Sequence, residues 1–114
     1  MNKYRPIKEV VFGTDVPVAF SLEGVSDDVS LNSCFVRAKA YIGSPDGSPS
    51  NASMTFNPED ITQVSEQELL LPVKTGQLDR GLLWVEVEVH LPDKNFGSNY
   101  RTEILRGFTY IKVV

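Results

Sequence analysis

Residues 83–91 read Leu83-Trp84-Val85-Glu86-Val87-Glu88-Val89-His90-Leu91. The odd positions are all aliphatic, whereas the even ones carry an indole, two carboxylates and an imidazole. A period of two places these sets on opposite sides of extended backbone, because successive Cβ atoms in a strand alternate between faces. Wound as a helix, the same aliphatic residues would scatter around the axis instead of forming one stripe. The stretch therefore predicts a half-buried strand.

The pattern recurs outward from this segment. Over 34–42, Cys34, Val36, Ala38, Ala40 and Ile42 share one parity, and Phe35, Arg37, Lys39 and Tyr41 share the other. Over 16–22, Val16, Val18, Phe20 and Leu22 alternate with Pro17, Ala19 and Ser21, and the proline favours an edge position or a strand start. Further strands are predicted over 7–12, 52–56, 67–73 and 100–114, with Gly107 expected to bulge or bend the last. Turn clusters at 24–32, 43–51 and 92–99 separate them. Residues 58–61 read as a turn or a single helical turn capped by Asn57, and 77–80 as a short turn before Gly81 that Thr75 caps. No helix of ten residues is predicted. Seven to eight short alternating strands need a second sheet to cover each apolar face, so the expectation is one all-β antiparallel sandwich spanning residues 1–114.

Length and composition agree with one domain. A chain of 114 residues buries about two thirds of its unfolded surface without a metal or disulfide. Hydrophobic residues at 41% and charged residues at 23% exclude a disordered chain. The net charge of −4 disfavours a nucleic-acid partner. The basic N-terminal residues Lys3, Arg5 and Lys8 are followed by Glu9 and Asp15, not by an apolar h-region, so no signal peptide is expected and synthesis is read as cytoplasmic. No apolar run approaches the ~18 residues of a membrane helix, so no membrane partner is expected. Cys34 is the single cysteine and cannot form an intramolecular disulfide.

Site chemistry finds little footing. Zinc needs about four thiolate or imidazole ligands, and the chain offers only Cys34 and His90. Asp27 with Asp28, and Asp46 with Ser44 and Ser48, supply oxygens but follow no calcium-loop spacing and read as turn residues. The glycine-containing loops at 13–15 and 43–47 lead into no helix that would hold a phosphate. Glu86, Glu88 and Glu103 read as a solvated face, not as glycosidase carboxylates. Asn51-Ala52-Ser53 fits a glycosylation triplet by chance. A cysteine hydrolase would need Cys34 beside His90, yet their strand parities point them into different environments. No catalytic residue, cofactor or metal is predicted.

Contact residues are easier to nominate. Phe35, Tyr41 and Trp84 fall on the parity expected to face solvent, where large rings usually find cover. At the C-terminus, Phe108, Tyr110 and Val114 share one parity and Ile111 and Val113 the other. That pattern fits a strand covered on both sides or a sheet edge that pairs with another chain. The expected contact set is Phe35, Tyr41, Trp84 and an edge from Tyr110 to Val114. The alternative is a carbohydrate-binding or adhesin module in which these rings stack on sugars.

Two stretches carry a family resemblance. Near the start, Gly13-Thr14-Asp15 leads into Val16-Pro17-Val18-Ala19-Phe20-Ser21-Leu22. Later, Leu69-Leu70-Leu71-Pro72-Val73 precedes Leu78-Asp79-Arg80-Gly81-Leu82-Leu83-Trp84-Val85-Glu86-Val87, and 108–113 closes the order. This order resembles the immunoglobulin-like domain at the N-terminus of upper baseplate proteins of tailed phages, and related small virion sandwiches. The resemblance covers nearly the whole chain and implies an immunoglobulin-like sandwich acting as a non-enzymatic structural or adaptor subunit of a phage or prophage particle. Its implied partners are other virion or assembly proteins, or further copies of itself as a homo-oligomer. Residues 24–32 lack the compact Asp-Leu-Thr-Gly type signature, and the chain stops at Val114 where a baseplate protein would continue, so a small stand-alone component is expected. The resemblance is to a scaffold and transfers no site residue.

Overall fold

A computed structural model describes residues 5–22, 35–44, 49–65 and 67–114, with the backbone alone at 49–51. The alternating segment lies inside a twelve-residue strand whose odd positions from Leu83 to Leu91 are buried while the even ones remain half-exposed. Eight strands follow one another along the described chain: β1 (Lys8–Val10), β2 (Asp15–Ser21), β3 (Phe35–Gly43), β4 (Pro49–Phe56), β5 (Thr62–Gln63), β6 (Glu68–Lys74), β7 (Gly81–Pro92) and β8 (Tyr100–Val113). Single 3₁₀ turns occupy Pro58–Asp60 and Thr75–Gln77. In the first of these, the Asp60 carboxylate accepts the Asn57 N–H at 3.1 Å.

The strands form a five-stranded sheet in the order β1-β8-β7-β3-β4 and a three-stranded sheet in the order β2-β6-β5. Their facing sides share one core. Val16, Val18, Leu69, Leu71 and Val73 of the small sheet meet Val36, Ala38, Ala40, Val85, Val87 and Val89 of the large one. Each aliphatic side chain removed from water here contributes about 1.5–3 kcal/mol. The two-sheet all-β architecture follows the sequence expectation. Small residues at Ala38 and Ala40 keep the centre of β3 shallow enough for the second sheet to pack over it.

Two features depart from that expectation. First, the sheet is not wholly antiparallel, because β1 runs parallel to β8 with Lys8 opposite Ile111 and Val10 opposite Val113. Backbone bonds extend this seam, from the Val114 N–H to the Val10 carbonyl at 2.8 Å and from the Phe12 N–H to the Val114 carbonyl at 3.0 Å. The 110–114 segment is therefore flanked by β1 and β7 and is not a sheet edge. Second, Gly107 stays in register opposite Val85, and the irregularity falls between the Trp84–Phe108 and Leu83–Ile111 pairs. Thr109 and Tyr110 are the extra residues, and Tyr110 takes φ 61°. Gly107 serves close packing instead, since a Cβ there would lie 3.4 Å from the Phe20 ring.

Thr75 also takes a role other than the one expected. It caps no turn by its side chain; it is buried and ties that turn to the one between β1 and β2. Its hydroxyl accepts the Gly13 N–H at 2.8 Å and donates to the Thr14 carbonyl at 2.8 Å. Thr75→Val keeps the shape and leaves both backbone groups without this partner, so a loss of about 1–3 kcal/mol is expected. Urea denaturation reads it, and an unshifted midpoint would show that the hydroxyl does not hold these turns together.

Candidate functional site

The outer side of the five-stranded sheet carries most of the residues nominated from sequence. Strand register arranges them in four rows across β3, β7 and β8: Tyr41–Trp84–Phe108, Lys39–Glu86–Arg106, Arg37–Glu88–Ile104 and Phe35–His90–Thr102. The two middle rows are charged or mixed, and the end rows are aromatic-rich.

In the charged row, Arg106 donates to Glu86 Oε2 from Nη2 at 3.0 Å and from Nε at 3.3 Å. Hydrogen bonding to Glu86 raises the guanidinium above its ordinary value, and the neighbouring Tyr41 phenol adds to this. Lys39 Nζ lies 5.6 Å from the Tyr41 ring centroid. Exposed pairs of this kind contribute little stability, typically about 0–1 kcal/mol, so their value lies in fixing side-chain positions. At the far end, His90 Nε2 lies 2.7 Å from Glu88 Oε2, and its Nδ1 lies 3.4 Å from Thr102 Oγ1. Phe35 meets the same imidazole edge-on at 5.4 Å, and the Arg37 guanidinium lies 5.7 Å from the Phe35 ring centroid. Phe35 is 43% exposed, and Ile104 in the next row is 61% exposed.

The aromatic end is built differently. Trp84 and Phe108 stack at 5.3 Å with planes tilted by 40°, and Phe108 stacks on Tyr110 at 4.9 Å. The Arg5 guanidinium closes the series 4.7 Å from the Tyr110 ring. Tyr110 lies in the bulge, two residues on from Phe108 along the same strand. Trp84 is half-buried, and its Nε1 is buried without a hydrogen-bond partner among the described residues. An orphan donor of this kind costs about 1–3 kcal/mol.

Tyr41 corrects the sequence reading. It has the outer parity, as expected, but only 1% of it is exposed. Ser53 and Trp84 flank it across the ladder, so it belongs to the folding core and offers no contact surface. Trp84 likewise presents only part of its surface. Of the nominated set, Phe35, Tyr110 and Val114 are exposed, at opposite ends of the sheet. Sequence reasoning did not nominate Phe108 or Arg5 for the site. The link from Phe108 to Trp84 depends on the β7–β8 register, which runs unbroken from Pro92–Tyr100 and which strand parity alone does not state.

The remaining sequence candidates are not brought together. Cys34, Asp27, Asp28 and Asp46 lie outside the described residues, as does the Asn51 side chain. Among the described residues, no group of three or more His, Cys, Asp or Glu side chains could hold a metal ion. A depression of about 310 Å³ between β2 and β8 is lined by Arg5, Ala19, Phe20 and Thr109, at the lower limit of ligand pockets, roughly 300–1,000 Å³. The chain matches no protein-family model, no curated protein and no solved structure. Functional argument therefore rests on the chain's own geometry. Among the described residues, no helix is long and apolar enough to cross a membrane.

Proposed function

We propose that this domain works by contact, as a non-enzymatic structural or adaptor subunit of a phage or prophage particle, and that the Trp84–Phe108–Tyr110 ladder is its docking face. The observation that carries the contact reading is Tyr110, a non-glycine residue held at φ 61° within a strand bulge. Left-handed backbone costs an ordinary residue about 1–2 kcal/mol, and such costs concentrate where a side chain must be aimed. Here the aimed group is a tyrosine beside a phenylalanine, a half-buried tryptophan and an arginine. Tryptophan, tyrosine and arginine are the residue types that dominate binding energy at protein interfaces.

Strand order supports the immunoglobulin-like part of the reading. The second, sixth and fifth strands adjoin in one sheet and the third, seventh and eighth in the other. The B-E-D and C-F-G neighbours of that sandwich are ordered in a similar way, which favours this reading. The particle setting comes from the resemblance of residues 13–22 and 69–87 to baseplate domains. The sugar-binding alternative has less support, because the two inner rings are tilted against one another and the indole N–H is buried.

Tyr110→Asn tests the docking face. Asparagine tolerates left-handed backbone better than most residues, so the fold is expected to persist while the ring is removed. Incorporation into sedimented particles is expected to fall roughly thirtyfold, the loss of one hot-spot residue of about 2 kcal/mol. Undiminished incorporation would overturn the docking face, and a wild-type chain that never sediments with particles would overturn the particle reading.

A further inference from the structure

The depression between β2 and β8 has a chemistry that the docking face does not use. Val18 and Phe20 of one sheet line it together with Gly107, Thr109 and Ile111 of the other. Its 310 Å³ corresponds to roughly ten waters' share of liquid, at about 30 Å³ each, which is room for one ring and a few further atoms. Walls that are mostly apolar are the usual setting for a ligand whose orientation is then fixed by a few polar groups.

Two side chains in the lining are polar, and they differ. The Thr109 hydroxyl is already engaged, donating to the Leu83 carbonyl at 2.8 Å and accepting the Ile111 N–H at 3.2 Å. Arg5 carries the one charge among the residues that line the depression, and it enters no ion pair among the described residues. Its guanidinium lies 4.7 Å from the Tyr110 ring centroid, and a ring attracts a cation without neutralising it. Gly107 is an independent sign. It sits inside β8 in regular register opposite Val85, where glycine weakens a strand and often marks the close approach of a ligand or another backbone. A Cβ there would stand 3.4 Å from the Phe20 ring, between two residues that both line the depression. Its absence keeps that wall free of bulk.

We propose that this depression binds a small apolar monocarboxylate, whose body rests against Val18, Phe20 and Ile111 and whose carboxylate pairs with Arg5. One guanidinium matches one carboxylate in a two-bond fork, whereas a phosphate dianion would bring charge that nothing else in the lining offsets. The acidic balance of the chain sharpens this choice. With a net charge of −4 the protein repels anions in general, so a preference for an ionised ligand over a neutral one has to come from a local cation.

The test uses two probes of one shape, phenylacetate and its neutral counterpart phenylacetamide, titrated into the isolated chain and followed by backbone amide NMR. Phenylacetate is expected to shift the Phe20, Gly107 and Thr109 signals saturably with a Kd near about 1 mM, and phenylacetamide to bind roughly tenfold more weakly. In Arg5→Gln that preference should vanish while phenylacetamide binds as it does to wild type. No saturable shift at these amides up to about 20 mM, equal binding of the two probes by wild type, or an Arg5→Gln chain that keeps the preference would each overturn the site. An Arg5→Gln chain that loses both probes alike would show that Arg5 only shapes the wall, and would overturn the carboxylate pairing. No particle is present in this titration, so its failure and the failure of the docking face are read separately.

Discussion

Tyr41→Ala is expected to remove about 3–5 kcal/mol of folding stability, the cost of emptying a site that holds a large buried ring. That is a large share of the roughly 5–15 kcal/mol available to a domain of ordinary stability. The effect comes from packing, since Tyr41 is 1% exposed between Ser53 and Trp84. In urea the midpoint should fall steeply at unchanged slope, whereas a surface tyrosine would move it little. A shift below about 1 kcal/mol would contradict the burial of this ring.

The same residue gives the fold an alkaline limit. Burial pushes the Tyr41 phenol above its ordinary value, with Arg106 opposing and Glu86 adding to the rise. A group whose folded pKa exceeds its unfolded one favours the fold in its protonated form. The stabilisation is complete below the unfolded value of about 10 and is lost as the pH climbs through the folded value. Ultraviolet titration of the native chain should therefore show a tyrosine ionising late, and Tyr41→Phe should abolish that component. Tyrosines that all titrate together would count against it.

Gly81→Ala is the second large effect. Gly81 opens β7 at φ 138°, and a Cβ built there would stand 2.7 Å from Ile42 Cγ2. Backbone strain of about 1–2 kcal/mol and a clash of about 1–3 kcal/mol act together, for an expected loss of roughly 2–5 kcal/mol. Gly13→Ala separates the two, because Gly13 has φ 99° with nothing within 4 Å of its built Cβ. That variant should lose only the backbone part. Equal losses at the two glycines, measured by the same urea titration, would show that the Ile42 contact carries no weight.

Much of the architecture was legible because burial on one side of a strand imposes a period of two. Leu83 to Leu91, Val16 to Leu22 and Val36 to Ile42 each kept their parity, since a slip of one residue would turn the whole apolar set to water. Contacts made across strands were not legible. Tyr41 carries the outer parity and is nevertheless buried, because cover on that side depends on which side chains stand in the adjoining strands. The bulge was misplaced for a related reason. Glycine is the usual cue for left-handed backbone, yet here Tyr110 adopts it while Gly107 sits in regular register. The slip leaves Trp84 opposite Phe108, in the register that runs unbroken from Pro92–Tyr100, and displaces only the pairs beyond it. The parallel seam of β1 escaped as well, since three residues carry too little periodicity to declare a direction.

That seam also orders events in time. β7 and β8 are joined by a short turn and can zip together early, but Lys8 meets Ile111 only after about a hundred residues of chain have been gathered in. With three residues of pairing to reward that closure, β1 is the element positioned to arrive last and fray first. Each such opening uncovers one side of β8 beside Tyr110, so the steadiness of the aromatic ladder is set by how long the first strand stays docked.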